Sequence, residues 1–310
     1  VFVVAAGAAF GWALAGQWGR IADRLSQQNP GVVAGSLVLA TAAVFLSFLQ
    51  WRATLATLGS SLPVRPAARL FFVTQLGKYL PGAVWPVVAQ MRLGKALGVP
   101  RQRMGLAFLL TLGLATLVGI FLGVVALPAL LRAEGQVVLL GLLALPLLAL
   151  LFVPRVLNTL LGTALRVLRR PPLEAPLRTG EVARGTAAML LVWAVYGAHL
   201  WVLAVGLGAD PWRALPVAVG GFALAFSLGP LLVVLPAGAG VREAVLVLLL
   251  ASVLPVPAAT AVALTSRAVL MCADGLLAVA ASALGGAEPV SAGDAPAPPA
   301  PGPSGGRPAG

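Results

Sequence analysis

From Met104 to Leu131 the chain runs 28 residues without a charged side chain. About 20 apolar residues coiled as a helix span the roughly 30 Å hydrocarbon core of a bilayer. Lipid offers no hydrogen-bond partners, so such a run must satisfy its own backbone, and a helix does so. Eight segments read as membrane-crossing: 1–16, 31–50, 105–131, 136–153, 186–207, 214–236, 241–256 and 258–284. The seventh is short for a crossing and reads as the continuation of a broken helix. Composition closes off the soluble alternative. The chain is 60% hydrophobic and 10% charged, against roughly 25% charged in a soluble domain, so it could not cover its own surface. The expected fold is all-α: a polytopic integral membrane helical bundle of about eight spans, with two broken or re-entrant segments.

Val1 already lies in an apolar stretch, so the sequence is expected to begin inside a span. Ala13-Leu14-Ala15 resembles a signal-peptide cleavage site, but the stretch lacks a basic n-region and many spans follow it. A first transmembrane helix is the better reading of 1–16.

The basic residues sort into alternate loops. Between the second and third spans lie Arg52, Arg65, Arg69, Lys78, Arg92, Lys95, Arg101 and Arg103, and no acidic residue occurs between Asp23 and Glu134. Between the fourth and fifth lie Arg155, Arg166, Arg169, Arg170, Arg178 and Arg184, against Glu174 and Glu181. The other connections hold Arg20 with Arg24, then Arg132, then Arg213. The positive-inside rule puts the heavily basic loops in the cytoplasm. With eight spans both termini are cytoplasmic, in a bacterial-type cell (plasma) membrane. The net charge of +12 resides in these loops, so no nucleic-acid partner is expected. Cys272 is alone in an apolar run, which excludes an internal disulfide or a cysteine metal site. Residues 285–310 are rich in Pro, Ala and Gly and cannot build a core. They are expected to form a disordered cytoplasmic tail after a transmembrane domain over 1–284.

The connection 50–103 is not an ordinary loop. Leu70–Val73 and then Leu80-Pro81-Gly82-Ala83-Val84-Trp85-Pro86-Val87-Val88 are apolar but too short and broken to cross. Such segments lie in the interface or re-enter from one side. Phe71, Phe72, Tyr79 and Trp85 suit the headgroup boundary.

Three constellations carry chemistry. In the first, Pro81 removes a backbone donor and Gly82 permits unusual backbone angles, so a helix ends after Lys78 and Tyr79. Free amides at such a break, with Lys78, Arg92 and Lys95 beside them, suit a phosphate. An interfacial helix anchored to anionic lipid by its basic side accounts for the same residues. In the second, Pro236, Gly238 and Gly240 precede the adjacent Arg242 and Glu243. A second helix break meeting an anion is one reading; a tight loop, with the acid offsetting the helix dipole, is the other. The two breaks share a Leu-Pro core, and paired breaks in the two halves of a chain point to a transporter's central site. In the third, Arg267 and Asp274 lie inside the last span on one helical face. Intramembrane charges are costly and face a bundle interior or aqueous cavity. Glu243 is the expected partner of Arg267, and Arg242 of Asp274. These charges form either a gating network or a purely structural one. His199, the single histidine, reads as a hydrogen-bonded packing residue in preference to a proton relay, and Gly119 with Gly123 as a small-residue helix contact.

No P-loop, His-Glu-x-x-His motif or acidic cluster suited to magnesium and diphosphate is present among nine acidic residues. No catalytic residue, metal or cofactor is expected, and the chain is not read as an enzyme.

Gly77-Lys78-Tyr79-Leu80-Pro81-Gly82 with Trp85, Arg92 and Gly98, together with Pro236-Ala237-Gly238-Ala239-Gly240-Val241-Arg242-Glu243-Ala244 and Arg267, resembles the transmembrane, flippase-like domain of lysylphosphatidylglycerol synthases. Trp51-Arg52 fits as well, and the resemblance covers about 1–284. Ala237 stands where the family often has Gly. The resemblance implies a stand-alone member that moves a lipid between leaflets: an anionic phospholipid or a polyprenyl-phosphate-linked headgroup. It implies Lys78, Tyr79, Pro81, Gly82, Trp85, Arg92, Gly238, Gly240, Arg242 and Glu243 as the binding set. The family's soluble aminoacyl-transferase domain does not lie within these residues, so lipid lysylation by them alone is not expected. Expected partners are membrane lipids; a separately encoded synthase and a homo-oligomer are both compatible. Two further readings stay open: a membrane subunit of a lipid-modifying enzyme, and an ion-coupled small-solute transporter using Asp274 or His199.

Overall fold

A computed structural model describes residues 28–80, 84–131, 153–167, 176–228 and 240–283. Among these, the regular elements are helices: α1 (Pro30–Thr57), α2 (Val64–Gln75), a 3-10 turn (Leu76–Tyr79), α3 (Trp85–Ala96), α4 (Arg101–Leu131), α5 (Pro154–Val167), α6 (Thr179–Gly206), α7 (Pro211–Leu228), α8 (Val241–Leu250) and α9 (Val256–Ala283). Four of them, α1, α4, α6 and α9, are long and apolar enough to cross a membrane. The protein is an all-α helical membrane protein.

Local sequence sets the helix ends. Asn29 caps α1, its side-chain oxygen accepting the Gly31 N–H at 2.8 Å, with Pro30 in the first turn. Three helices stop at a Leu-Gly pair: Gly59, Gly98 and Gly208 each have φ between 75° and 91°. After each, the next amide bonds back five residues, as in Ser60 N–H to Leu55 O at 3.1 Å.

α1 packs on α6 and α9, α7 on α4, α6 and α8, and α9 additionally on α2. α9 is the enclosed helix, with 67% of its apolar window buried inside the protein, against 22% for α4. Glycines set the α4–α7 contact. A Cβ on Gly220 would stand 2.6 Å from the Leu122 carbonyl oxygen, and a Cβ on Gly119 would collide with Ser227 Oγ. Gly119 and Gly123 therefore form the close helix contact expected of them.

Several expectations change. Segment 1–16, segment 136–153 up to residue 152, and the tail lie outside the described residues. α1 continues through Trp51 and Arg52, and Arg52 Nε donates to Leu62 O at 2.8 Å. α8 has 10 residues, about 15 Å of helix, half the hydrocarbon thickness; the seventh segment is not a regular crossing. The connection 154–184 contains α5, which the basic-loop reading missed. Its Leu165 is buried against Leu106, while Arg155 and Arg166 are exposed. Asn158 pins the far side of this connection, accepting the Leu177 N–H at 2.9 Å and donating to Leu177 O at 3.1 Å.

α2 and α3 have 12 residues each, about 18 Å apiece, and pack against each other. They make a hairpin too short to cross a membrane, whose tip carries Lys78 and Tyr79. Phe71, Phe72 and Tyr79 are buried within the protein. Phe71 and Phe72 join Phe48 and Trp51, with ring centroids 5.2–5.8 Å apart, so these aromatics fix the hairpin to α1. Trp85 is 41% exposed.

Candidate functional site

The hairpin tip reaches the middle of α9. Lys78 Nζ lies 2.7 Å from Asp274 Oδ2, and the Tyr79 hydroxyl donates to the same oxygen at 2.7 Å. Asp274 is about 14 Å from the C-terminal end of α9, and Arg267 about 17 Å from its start. Both charges thus lie well inside the span. The expected pairing of Asp274 with Arg242 is replaced by Lys78: among the described residues no ion pair joins Arg242 to Asp274. A 3-10-turn residue nearly 200 positions away in sequence takes the place of a neighbour on the preceding helix, because the hairpin packs on α9.

The other expected pair is present. Arg267 Nη1 donates to Glu243 Oε1 at 2.6 Å. Glu243 Oε2 accepts the Gly240 N–H at 2.7 Å, and Gly240 has φ 88°, a left-handed backbone that a side chain would strain. Glu243 therefore does two jobs. It caps the start of α8, as the dipole reading expected, and it neutralises Arg267 on α9. Arg242 is held less closely. Its Nη2 lies 3.9 Å from Glu243 Oε1, and its guanidinium sits 5.8 Å over the Phe222 ring.

These groups border a cavity of about 270 Å³ enclosed by α1, the α2–α3 hairpin, α4, α6, α7, α8 and α9. Lys78, Arg242, Arg267 and Asp274 form one charged wall. Three cations against the two carboxylates of Glu243 and Asp274 leave one net positive charge. The cavity also gathers polar atoms without hydrogen-bond partners: Arg242 Nε, Arg267 Nε, Asp274 Oδ1, Trp51 Nε1, Thr111 Oγ1 and both amide atoms of Gln90. Buried polar groups are ordinarily bonded, and leaving one bare costs about 1–3 kcal/mol.

Of the residues singled out in the sequence, Lys78, Tyr79, Arg242, Arg267 and Asp274 line the cavity, and Glu243 supports it from behind. Arg92, Lys95 and Trp85 are exposed and do not line it. Pro81, Gly82 and Gly238 lie outside the described residues. Trp51, Gln90 and Thr111 were not picked out as cavity residues. Gln90 lies two residues before Arg92 on α3, and no sequence pattern displays the burial of a neutral amide.

His199 is fully buried. Its Nδ1 faces the Tyr196 carbonyl and its Nε2 lies 2.9 Å from Ser266 Oγ. A backbone carbonyl only accepts, so Nδ1 carries the proton and Ser266 donates to Nε2. Ser36 Oγ donates to the His199 carbonyl at 3.0 Å. The histidine thus ties α1, α6 and α9 together as a packing residue.

A family model described as "Lysylphosphatidylglycerol synthase TM region" matches residues 1–277. No curated protein matches the chain.

Proposed function

The chain belongs to the family of the lysylphosphatidylglycerol synthase transmembrane region, and from that membership we propose that it is a translocase for an anionic lipid headgroup. Its cargo is a phospholipid or a polyprenyl-phosphate-linked headgroup, moved between leaflets of the cell membrane. The basic connections and both termini face the cytoplasm. No covalent step is involved.

The observation that carries this reading is the cavity bordered by one net positive charge, with Arg267 and Asp274 well inside a helix long and apolar enough to cross a membrane. A charge in hydrocarbon is costly unless compensated, and a bound phosphodiester supplies one negative charge. Arg242, the cation without a close partner, receives the phosphate. Lys78 exchanges Asp274 for a phosphate oxygen as the hairpin tip moves. The Glu243–Arg267 pair holds α8 against α9 while this happens. Apolar walls such as Leu270 and Phe226 let the acyl chains stay in lipid nearby.

Photo-crosslinking tests the site. A phospholipid with a diazirine on its headgroup, incorporated with the protein in nanodiscs, should attach to peptides containing 75–90 and 242–274. Attachment confined to the exposed faces of α3 and α5, around Arg92 and Arg155, overturns the assignment and favours surface binding of anionic lipid.

A further inference from the structure

A second polar cluster lies beyond the cavity, on the side where α1 begins and α6 ends. Ser36 is about 9 Å from the start of α1, and His199 about 10 Å from the end of α6. The cavity residues of α1 begin only at Val44, about 21 Å from the same start. The heavily basic connections adjoin the opposite ends of these two helices. One aromatic layer separates cluster from cavity. Tyr196 lines the cavity. Its ring stacks on Phe222 at 5.4 Å, and Phe222 stands edge-on to His199 at 5.0 Å.

Side-chain hydrogen bonds hold the cluster shut. Ser266 Oγ on α9 lies 2.9 Å from His199 Nε2 on α6. Ser36 Oγ on α1 donates to the His199 carbonyl at 3.0 Å. Gln28, just before α1, donates from Nε2 to Thr265 Oγ1 on α9 at 2.9 Å. Ser36, His199, Thr265 and Ser266 are at most 1% exposed. Hydrogen bonds between helices in a bilayer are individually weak, so they add little to apolar helices that pack without them. They differ from apolar packing in one respect: when the helices part, each group can bond a polar molecule instead. α1 is the helix placed to part. Only 28% of its apolar window is buried, against 67% for α9, and Val38 in its first half is exposed.

Resting on the translocase reading, we propose that the first half of α1 is a lateral gate, and that the Thr265 and Ser266 hydroxyls behind it are a second station for the headgroup phosphate. Drawing the start of α1 outward breaks the Ser36 and Gln28 bonds together and opens a slot between α6 and α9. The slot leads to the leaflet opposite the basic connections. His199 positions the Ser266 hydroxyl there. Neutral donors hold an anion less tightly than the cations of the cavity do, which suits a station from which the headgroup leaves.

A disulfide staple tests the gate. A Cβ on Gly206, at the end of α6, would stand 3.4 Å from the Val32 Cβ on α1, close to the separation of about 3.5–4.5 Å in a disulfide. In a Cys272→Ala background, Val32→Cys with Gly206→Cys ties the gate shut when oxidised. In vesicles with acyl-labelled phosphatidylglycerol, oxidation should slow transbilayer movement tenfold or more, and reduction should restore it. Crosslinking of a diazirine headgroup to the cavity peptides should persist in both forms. Equal movement before and after reduction of a staple confirmed by mass overturns the gate. Thr265→Val with Ser266→Ala, without the staple, should slow movement roughly three- to tenfold and leave cavity crosslinking in place. Parental rates in that variant overturn the second station. No movement and no cavity crosslinking in the Cys272→Ala parent overturns the translocase reading, and the gate with it.

Discussion

Lys78 and Asp274 meet at 2.7 Å, joining the tip of the short hairpin to the middle of the last long helix. Tyr79 donates to the same carboxylate oxygen, while the other oxygen has no hydrogen-bond partner. A charge pair and a hydroxyl thus join the tip to α9, both beside the cavity. A phosphate entering that cavity competes with Asp274 for Lys78.

Asp274→Asn keeps an acceptor for Tyr79 but removes the charge that holds Lys78. The hairpin tip should open more often. With Cys272, the single cysteine, replaced by alanine, a cysteine at Gln75 reports tip opening through maleimide labelling. A loss of about 1 kcal/mol for a partly exposed pair gives a roughly fivefold faster labelling rate. An unchanged rate would show that Tyr79 and the aromatic packing hold the tip without the ion pair.

Arg267→Met takes the 2.6 Å partner from the buried Glu243 carboxylate and leaves it only the more distant Arg242 at 3.9 Å as a nearby cation. Breaking one partner of a buried pair costs about 3–5 kcal/mol, read as a lowered unfolding midpoint in detergent micelles. Adding Glu243→Gln should recover most of the loss, because the buried carboxylate charge is gone. Equal destabilisation by the single and double variants would mean that the packing of Arg267, not its charge pairing, carries the effect.

Gly220→Ala sets a Cβ against the Leu122 carbonyl oxygen, where backbone must yield. Overpacking of this kind costs about 1–3 kcal/mol. Gly113→Ala, on α4, meets nothing within 4 Å, and gains about 1 kcal/mol of helix propensity. Thermal unfolding of the two variants should therefore shift in opposite directions.

The sequence made the long helices legible because uninterrupted apolar runs leave the chain no other way to satisfy its backbone. α4 and α9 differ from the apolar segments by only a few residues at their starts. The Arg267–Glu243 pair was also legible: two opposite charges, 24 positions apart on either side of a tight connection, face each other across an antiparallel helix pair. Asp274 was assigned the wrong partner by the same logic. Nearness in sequence favoured Arg242, whereas the hairpin brings Lys78 across the bundle. Phe71 and Phe72 looked interfacial because aromatics at the end of a short apolar stretch suit a headgroup boundary. The structure buries them against Phe48, since a hairpin that enters the bundle needs an apolar flank. Gln90 was illegible for a different reason. An unpartnered buried amide is a property of the fold around it, and its residue type alone carries no signal.

The proposed orientation makes a topological prediction. Trp212, at the start of α7, is 83% exposed, and Arg155 on α5 is exposed. With Cys272 replaced, Trp212→Cys should react with a membrane-impermeant maleimide in intact cells. Arg155→Cys should react only after permeabilisation. The reverse pattern would invert the proposed topology.

Transbilayer movement is the most direct measurement. Vesicles reconstituted with the full chain and acyl-labelled phosphatidylglycerol are treated with an impermeant quencher, and the loss of inner-leaflet signal is followed. The wild type should exceed protein-free vesicles. Lys78→Met combined with Arg242→Met should slow movement roughly tenfold or more, for loss of a charge-assisted contact worth about 1.5–3 kcal/mol. Rates equal to protein-free vesicles across anionic phospholipids and polyprenyl phosphates alike, or wild-type rates in the double variant, would contradict the account.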